Sequence, residues 1–201
     1  MGGGLEERIR AAWDADQLAM AAELAIEGYG REVLGFLVTT LGSEQDASEA
    51  FSLLCEDLWR GLARFEWRCS MRTWLYVLAR HARARHLRDP HRRAERNVPL
   101  SQISDVAERL RSRTLAHLRT EARDGLARLR NELTADERAL LVLRVDRKLS
   151  WDDIATILED EPDGDRKKAT ARLRKRFQLL KAKLRRLAEQ AGLLASDEAG
   201  S

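Results

Sequence analysis

The chain has 201 residues and a formal net charge of +3, and its longest apolar run, Val33 to Val38, is far shorter than the ~20 residues that span a bilayer. The high charged fraction, 34 %, and only three prolines favour helices, on which Arg, Glu, Leu and Ala lose little side-chain freedom. Cys55 and Cys69 form no disulfide framework or metal motif, and the charged start does not resemble a signal peptide, so we expect a cytoplasmic protein without membrane insertion.

The charge is unevenly distributed along the chain. Residues 1–65 carry twelve acidic and five basic side chains. Residues 80–96 carry seven arginines against two acids, and residues 166–186 carry eleven bases and no acid. The two basic blocks favour contact with a polyanion, whereas the acidic front favours a different kind of partner.

Helical periodicity runs through the first half of the chain and predicts four helices. Gly28 and Gly30 predict a break between the first two, and Gly42 is typical of a helix C-terminus. A loop, Glu66 to Ser70, precedes the fourth helix. That helix should end at Asp89, because the proline that follows drives its neighbour out of the helical region. The predicted helices span about residues 5–26, 31–41, 45–65 and 71–88.

The second half begins with a polar, proline-containing stretch, residues 90–103, which we interpret as a linker. Thr134 with Glu137, and Ser150 with Asp153, have the spacing of helix N-terminal caps. These signals predict an all-α fold of two small helical domains, the C-terminal one containing a helix-turn-helix. The predicted domains are residues 1–89 and 104–192, and the second contains helices at about 104–132, 135–145, 151–158 and 166–190.

The last two predicted helices have the order of a helix-turn-helix: a short capped helix, an acidic turn at residues 159–165 and a long basic helix. Apolar residues recur along the basic helix at spacings of three and four, which leaves Arg172, Arg174, Lys175 and Arg176 largely on other faces. The major groove of DNA admits such a helix. The alternative is a solvated charged helix or coiled-coil arm, but a helix without acids repels itself unless an anion is near.

The fourth predicted helix, RTWLYVLARHARARHLR, changes character halfway along. Its first half presents an apolar face that includes Trp74 and Leu78. Trp67, in the loop before it, is a candidate for holding an unstacked base, or alternatively a core residue. The candidates for contacting a nucleic acid in the second half are Arg80, His81, Arg83, Arg85 and Arg88.

Two blocks of the sequence resemble bacterial RNA polymerase sigma factors, in particular the small extracytoplasmic-function type of the sigma-70 family. DASEAFSLLCEDLWRGLARF followed by RTWLYVLARHARARHLR resembles the second conserved region of these proteins. LTADERALLVLRVDRKLSWDDIATIL resembles the start of their fourth region, which ends in a helix-turn-helix. The resemblance covers about residues 29–88 and 133–187.

The resemblance implies a protein that binds core RNA polymerase and the −10 and −35 elements of promoter DNA, with no cofactor. In the family the −10 element lies on the basic half of the fourth helix, and a flipped base enters the loop that here contains Trp67. The helix that reads the −35 element carries here Lys168, Thr170, Arg172, Arg174, Lys175 and Arg176. The helix that docks on polymerase carries here Glu49, Ser52 and Glu56. An anti-sigma factor is a further candidate partner.

The sequence departs from the family at the docking helix. An acid-Leu-x-Gln-Glu motif is usual there, and in this chain only Glu49, the acidic residue, matches it. A second hypothesis is therefore a sigma-like adaptor or regulator that lacks productive polymerase docking. A helix-turn-helix repressor would leave the RTWLYVLAR block unexplained. An enzyme is least favoured, because no nucleophile-base grouping, phosphate-binding glycine loop or metal-ligand spacing predicts a catalytic residue or a metal site. The first helix and residues 104–132 exceed the family pattern, and each is a candidate partner site or autoinhibitory element.

Overall fold

The computed structural model describes residues 4–88, 106–111, 114, 129, 131–159 and 165–192, and within these ranges all regular secondary structure is helical. This confirms the predicted all-α class. The helices are α1 (Leu5–Asp14), α2 (Leu18–Leu41), α3 (Glu44–Gly61), α4 (Met71–Arg88), α5 (Ala135–Leu141), α6 (Trp151–Leu158) and α7 (Arg166–Gln190). A short 3-10 turn, Leu62–Arg64, follows α3, and a π-helical turn, Val142–Asp146, follows α5. Residues 106–111 are also helical.

The helix break predicted at Gly28 and Gly30 is wrong, because α2 runs through both glycines. The chain turns earlier, after α1, where Asp16 adopts a positive φ of 58°. The glycines instead allow close packing of neighbouring elements. A Cβ atom at Gly28 would lie 2.0 Å from Cδ2 of Leu5, and one at Gly30 would lie 3.1 Å from Cδ1 of Leu110.

The predicted caps are confirmed. Thr134 accepts a hydrogen bond from the Glu137 backbone, and the Glu137 side chain accepts one in return, which completes a capping box. Ser150 accepts from the Asp153 backbone at the start of α6. Gly42 ends α2 with a φ of 73°, a left-handed conformation that glycine adopts without steric cost. These local signals fix the ends of the helices independently of tertiary packing.

The centre of the fold is the bundle of α2, α3 and α4, with Phe36, Phe51 and Tyr76 among its fully buried side chains. The same buried cluster continues into α6 through Ile154 and Ile157. The N-terminal and C-terminal helices therefore share apolar packing in this conformation. The predicted linker, residues 90–103, and most of the predicted 104–132 helix lie outside the described residues.

Hydrogen bonds reinforce the junction between the two groups of helices. The hydroxyl of Thr73 on α4 donates to Oδ1 of Asp153 on α6 over 2.8 Å. Nη1 of Arg80 donates to the carbonyl of Ile157 over 3.0 Å. If α6 moved away, the almost fully buried Thr73 hydroxyl would lose its bond to Asp153 and keep only the one it shares with the Ser70 hydroxyl. Among the described helices, none combines the length and the apolar character that crossing a membrane requires.

Candidate nucleic-acid interface

The basic half of α4 does not project freely into solvent. Arg80 and Arg83 are half-buried against the C-terminal helices. Burial lowers the pKa of both guanidinium groups, and the carboxylate of Asp136 acts in the opposite direction on each. Two of the predicted DNA-binding arginines thus face protein in this conformation.

The other cations of α4 differ in their surroundings. Arg85 turns back onto α3, where Nη1 and Nη2 donate to the two carboxylate oxygens of Asp57 over 3.1 and 2.8 Å. Arg88 is exposed at the end of the helix, and its Nε donates to the Ala84 carbonyl of its own last turn. His81 lies on an accessible edge, where desolvation and then the charge of Arg80 lower its pKa. Near neutral pH this histidine is therefore uncharged in the packed conformation.

The loop before α4 holds Trp67 among other aromatic rings. The Trp67 centroid lies 4.9 Å from that of Phe65 and 6.0 Å from that of Trp13. The guanidinium carbon of Arg10 lies 4.6 Å from the Trp67 centroid. Trp74, at the start of α4, stacks on Phe65 with an interplanar angle of 16°. The Trp67 side chain thus packs in an aromatic cluster and remains partly exposed in the loop, and its role in holding a base stays a prediction.

The basic helix α7 presents most of its predicted contact residues to solvent. Arg174, Lys175 and Arg176 are exposed. Arg172, with 62 % of its side chain exposed, donates to Oε2 of Glu159 over 3.0 Å. Lys168 lies 3.3 Å from a carboxylate oxygen of Asp165, the residue that caps the helix. Thr170 differs from these cations, since it is buried and its hydroxyl donates to the Lys167 carbonyl.

A cleft of about 570 Å³ lies between α4 and the helix pair α6 and α7. It brings together residues from both predicted DNA-binding sets. It is lined by the imidazole of His81, by the acids Glu159 and Asp165, and by the cations Arg68, Arg80, Arg166, Lys168 and Arg172. The sequence did not single out Arg68 or Arg166, although each adjoins a predicted contact residue or block, because only the packing of α6 against α4 places them on one cleft.

The predicted polymerase-binding residues lie on α3 and are partly engaged within the chain. Ser52 accepts a hydrogen bond from Nη1 of Arg111 over 2.7 Å. Glu56, with only 12 % of its side chain exposed, lies 3.5 Å from Arg60. Oε1 of Glu49 accepts a hydrogen bond from Gln45 over 3.3 Å. Arg111 belongs to the helical stretch 106–111, so this stretch lies against the predicted docking face, a contact that no local pattern could reveal.

No three His, Cys, Asp or Glu side chains converge as metal ligands would within the described part of the chain. Cys55 and Cys69 are both free thiols. Burial raises the pKa of Cys55 to about 12, which keeps that thiol protonated and unreactive at neutral pH.

Comparison with known proteins agrees with this geometry. Residues 25–93, which contain α3, the aromatic loop and α4, match the family model for sigma-70 region 2. The match covers about a third of the chain and shows a similarity to the sigma-70 family over that part. It is also 26 % identical over 145 residues to the RNA polymerase sigma-H factor of Pseudomonas aeruginosa, an alignment that covers 69 % of this chain and 75 % of that protein. No solved structure matches the chain. The matched region 2 and the sigma-factor relative both support a sigma-factor role in promoter recognition by RNA polymerase.

Proposed function

We propose that the protein is a sigma factor of the extracytoplasmic-function type that docks on core RNA polymerase through α3 and contacts promoter DNA at two points. The basic half of α4 and the Trp67 loop would bind the −10 element. The exposed cations of α7 would bind the −35 element. The residues proposed for polymerase contact are Glu49, Ser52 and Glu56 on α3.

The observation that carries this proposal is the position of the Trp67 loop relative to the basic end of α4 within the matched region 2. An aromatic side chain that is partly exposed can stack on an unpaired base, and stacking of this kind tolerates any base because each has a π-face. The arginines that follow along α4 can neutralise the phosphates of the same strand. Together the two features suit DNA whose strands have separated.

The proposal requires the C-terminal helices to leave α4 before promoter binding. In the packed conformation Arg80 is bonded to the carbonyl of Ile157, and the cleft between α4 and α7 places both basic surfaces face to face. A cleft of about 570 Å³ is too small to admit a DNA duplex, whose major groove alone is roughly 12 Å wide. Polymerase binding would favour the separated conformation if it contacts the two groups of helices at different places.

A second candidate function is a sigma-like adaptor that binds a partner without productive polymerase docking. The contact of Arg111 with Ser52 favours it, because it covers part of the predicted docking face. The altered docking motif around Glu49 favours it as well. The two candidates differ in one outcome, which is whether polymerase loaded with this chain starts transcription.

The discriminating experiment is capture of core RNA polymerase on the tagged full chain, followed by run-off transcription from genomic fragments. We expect stable capture and discrete start sites that depend on the added chain. The variant Arg88→Glu reverses a charge at the exposed end of α4 and should abolish the start sites while retaining polymerase capture. Capture without any start site would favour the adaptor, and failure to capture polymerase would contradict the sigma-factor proposal.

A further inference from the structure

Helix α1 touches the Trp67 loop at three places, and each contact comes from a different side chain. Glu6, Arg10 and Trp13 are spaced by four and three residues, so they lie on the same face of the helix. They reach the end, the middle and the start of the segment between α3 and α4. Neither the family resemblance nor the proposed function gives α1 a role.

At the start of this segment, Nε1 of Trp13 donates to the carbonyl of Leu62 over 2.8 Å. Leu62 begins the 3-10 turn that follows α3. Its carbonyl therefore has a partner from outside its own turn. This contact fixes the point at which the chain leaves α3.

At the end of the segment, the Glu6 carboxylate accepts hydrogen bonds from the first two backbone N–H groups of α4. Oε2 of Glu6 lies 3.0 Å from the nitrogen of Met71, and Oε1 lies 3.0 Å from the nitrogen of Arg72. These groups have no partner within the helix, and the N-terminal end of a helix carries partial positive charge that favours a carboxylate. Glu6 therefore caps α4 from a distance of 65 residues along the chain.

In the middle of the segment, Arg10 lies over the face of Trp67, and Trp13 meets the same ring edge-on. Trp67 needs such support, since it adopts a positive φ of 56°, which costs free energy for a bulky side chain. Its indole Nε1 is also buried and has no hydrogen-bond partner among the described residues. The cation–π contact with Arg10 and the contacts with Trp13 and Phe65 offset these costs.

We propose that α1 is a positioning element of the base-reading loop: Trp13, Arg10 and Glu6 hold the start, middle and end of the segment so that Trp67 is presented in one orientation. The inference rests on the proposed function, since it concerns how the loop meets an unpaired base. Gly28 is consistent with this close packing of α1, since a Cβ atom there would lie 2.0 Å from Cδ2 of Leu5 and would force that side chain to move. Arg10 is a positioning residue, because it acts through Trp67.

The test uses holoenzyme reconstituted from the full chain and core RNA polymerase. Its DNA is a fork-junction fragment of a promoter found by run-off transcription. Two versions of the fragment differ only in the base that would meet the loop, which is either present or abasic. The measured quantity is the ratio of the two affinities. A general loss of stability lowers both affinities together, whereas mispositioning of Trp67 lowers the ratio.

The native chain should prefer the complete base by roughly tenfold, the scale of one base stacked on an aromatic ring. Arg10→Gln should lower this preference by roughly two- to tenfold, and Arg10→Lys should retain most of it, because lysine also forms a cation–π contact. The matched control is Arg8→Gln, an exposed position on α1 that should leave the preference unchanged. If Arg10→Gln reduces soluble yield, Trp13→Phe tests the same inference, since it keeps a ring beside Trp67 and removes the donor to Leu62.

Suppose that the native chain prefers the complete base and that Arg10→Gln and Trp13→Phe leave the ratio of the two affinities unchanged. This result would overturn the role of α1 and leave the proposed function intact. An equal loss of affinity for both DNA fragments would also overturn it, because it would show a purely structural contribution. If the native chain bound the complete and the abasic fragment equally well, the result would contradict base capture by the loop and, with it, the positioning role of α1. A reduced ratio for Arg10→Gln together with a normal ratio for Arg8→Gln would support the inference.

Discussion

The two basic surfaces of this protein have similar composition and different physical states. On α4 the arginines are engaged inside the chain: Arg85 with Asp57, and Arg80 with the carbonyl of Ile157. On α7 the cations Arg174, Lys175 and Arg176 are exposed. A nucleic acid can therefore reach these three side chains of α7 with few protein contacts to replace, whereas at Arg80 and Arg85 of α4 it must first displace hydrogen bonds within the protein.

This difference indicates an order of events. Under the proposed function, α7 could associate with duplex DNA in the packed conformation, whereas Arg80 would become available only after α6 has left α4. Contact with the −10 element would then carry the free-energy cost of that separation, and contact through α7 would not.

The largest effect should come from the ion pair that anchors the start of α4. Arg72 donates to both carboxylate oxygens of Glu32 over 2.6 and 2.8 Å, and the Glu32 side chain is only 19 % exposed. Glu32→Gln should lower the free energy of unfolding by about 1–3 kcal/mol, because it leaves a partly buried guanidinium without its charged partner. Urea denaturation measures this change.

The matched substitution on the other surface is Glu159→Gln, which removes the partner of the exposed Arg172. Solvent screens this pair, so the expected loss is below about 0.5 kcal/mol. Equal losses for the two substitutions would show that the α4 surface is no more engaged than the α7 surface, and the comparison would fail.

An intermediate effect is expected at the junction of α4 and α6. Thr73→Val removes the hydroxyl that donates to Asp153 and should weaken the packed conformation by about 1 kcal/mol. Because the apparent affinity of a ligand scales with the population of the conformation it binds, affinity for a single-stranded −10 oligonucleotide should rise by roughly fivefold. Fluorescence anisotropy with a labelled oligonucleotide measures this.

The control for that prediction is Thr39→Val on α2, where the hydroxyl donates to Gly35 of the same helix. This change should leave oligonucleotide affinity within about twofold of the native value, since the hydroxyl bond that it removes lies within α2. If Thr73→Val lowered the affinity or left it unchanged, the packed conformation would not limit access to α4.

The smallest effect concerns salt. Arg174→Ala should reduce the slope of log affinity for duplex DNA against log salt concentration by about one unit, as expected for one lost phosphate contact. Arg85→Ala should leave the slope unchanged in the absence of polymerase, because its guanidinium is already bonded to Asp57. A reversed result, with a slope that responds to Arg85 and not to Arg174, would exchange the roles assigned to the two surfaces.

Much of the fold followed from local patterns, and the errors have a common cause. The caps at Thr134 and Ser150 were predicted because a cap needs only side chains within three residues of it. The glycines of α2 were misread, because glycine is used both for turns and for close packing, and only the neighbouring helix distinguishes the two uses. The same holds for the candidate site. The basic blocks could be predicted from the sequence, whereas the hydrogen-bond and ion-pair partners of their arginines and lysines could not.

The sequence by itself determined the all-α class, the ends of most helices and the presence of two cationic helical surfaces, since these depend on helical periodicity and on caps within a few residues. Only the tertiary structure decided which cations are engaged and which are free to solvent. The bond from Thr73 to Asp153 joins residues 80 positions apart, and the one from Arg85 to Asp57 joins residues 28 apart. Contacts over such separations depend on which helix faces pack together, and packing at that level is a property of the whole chain.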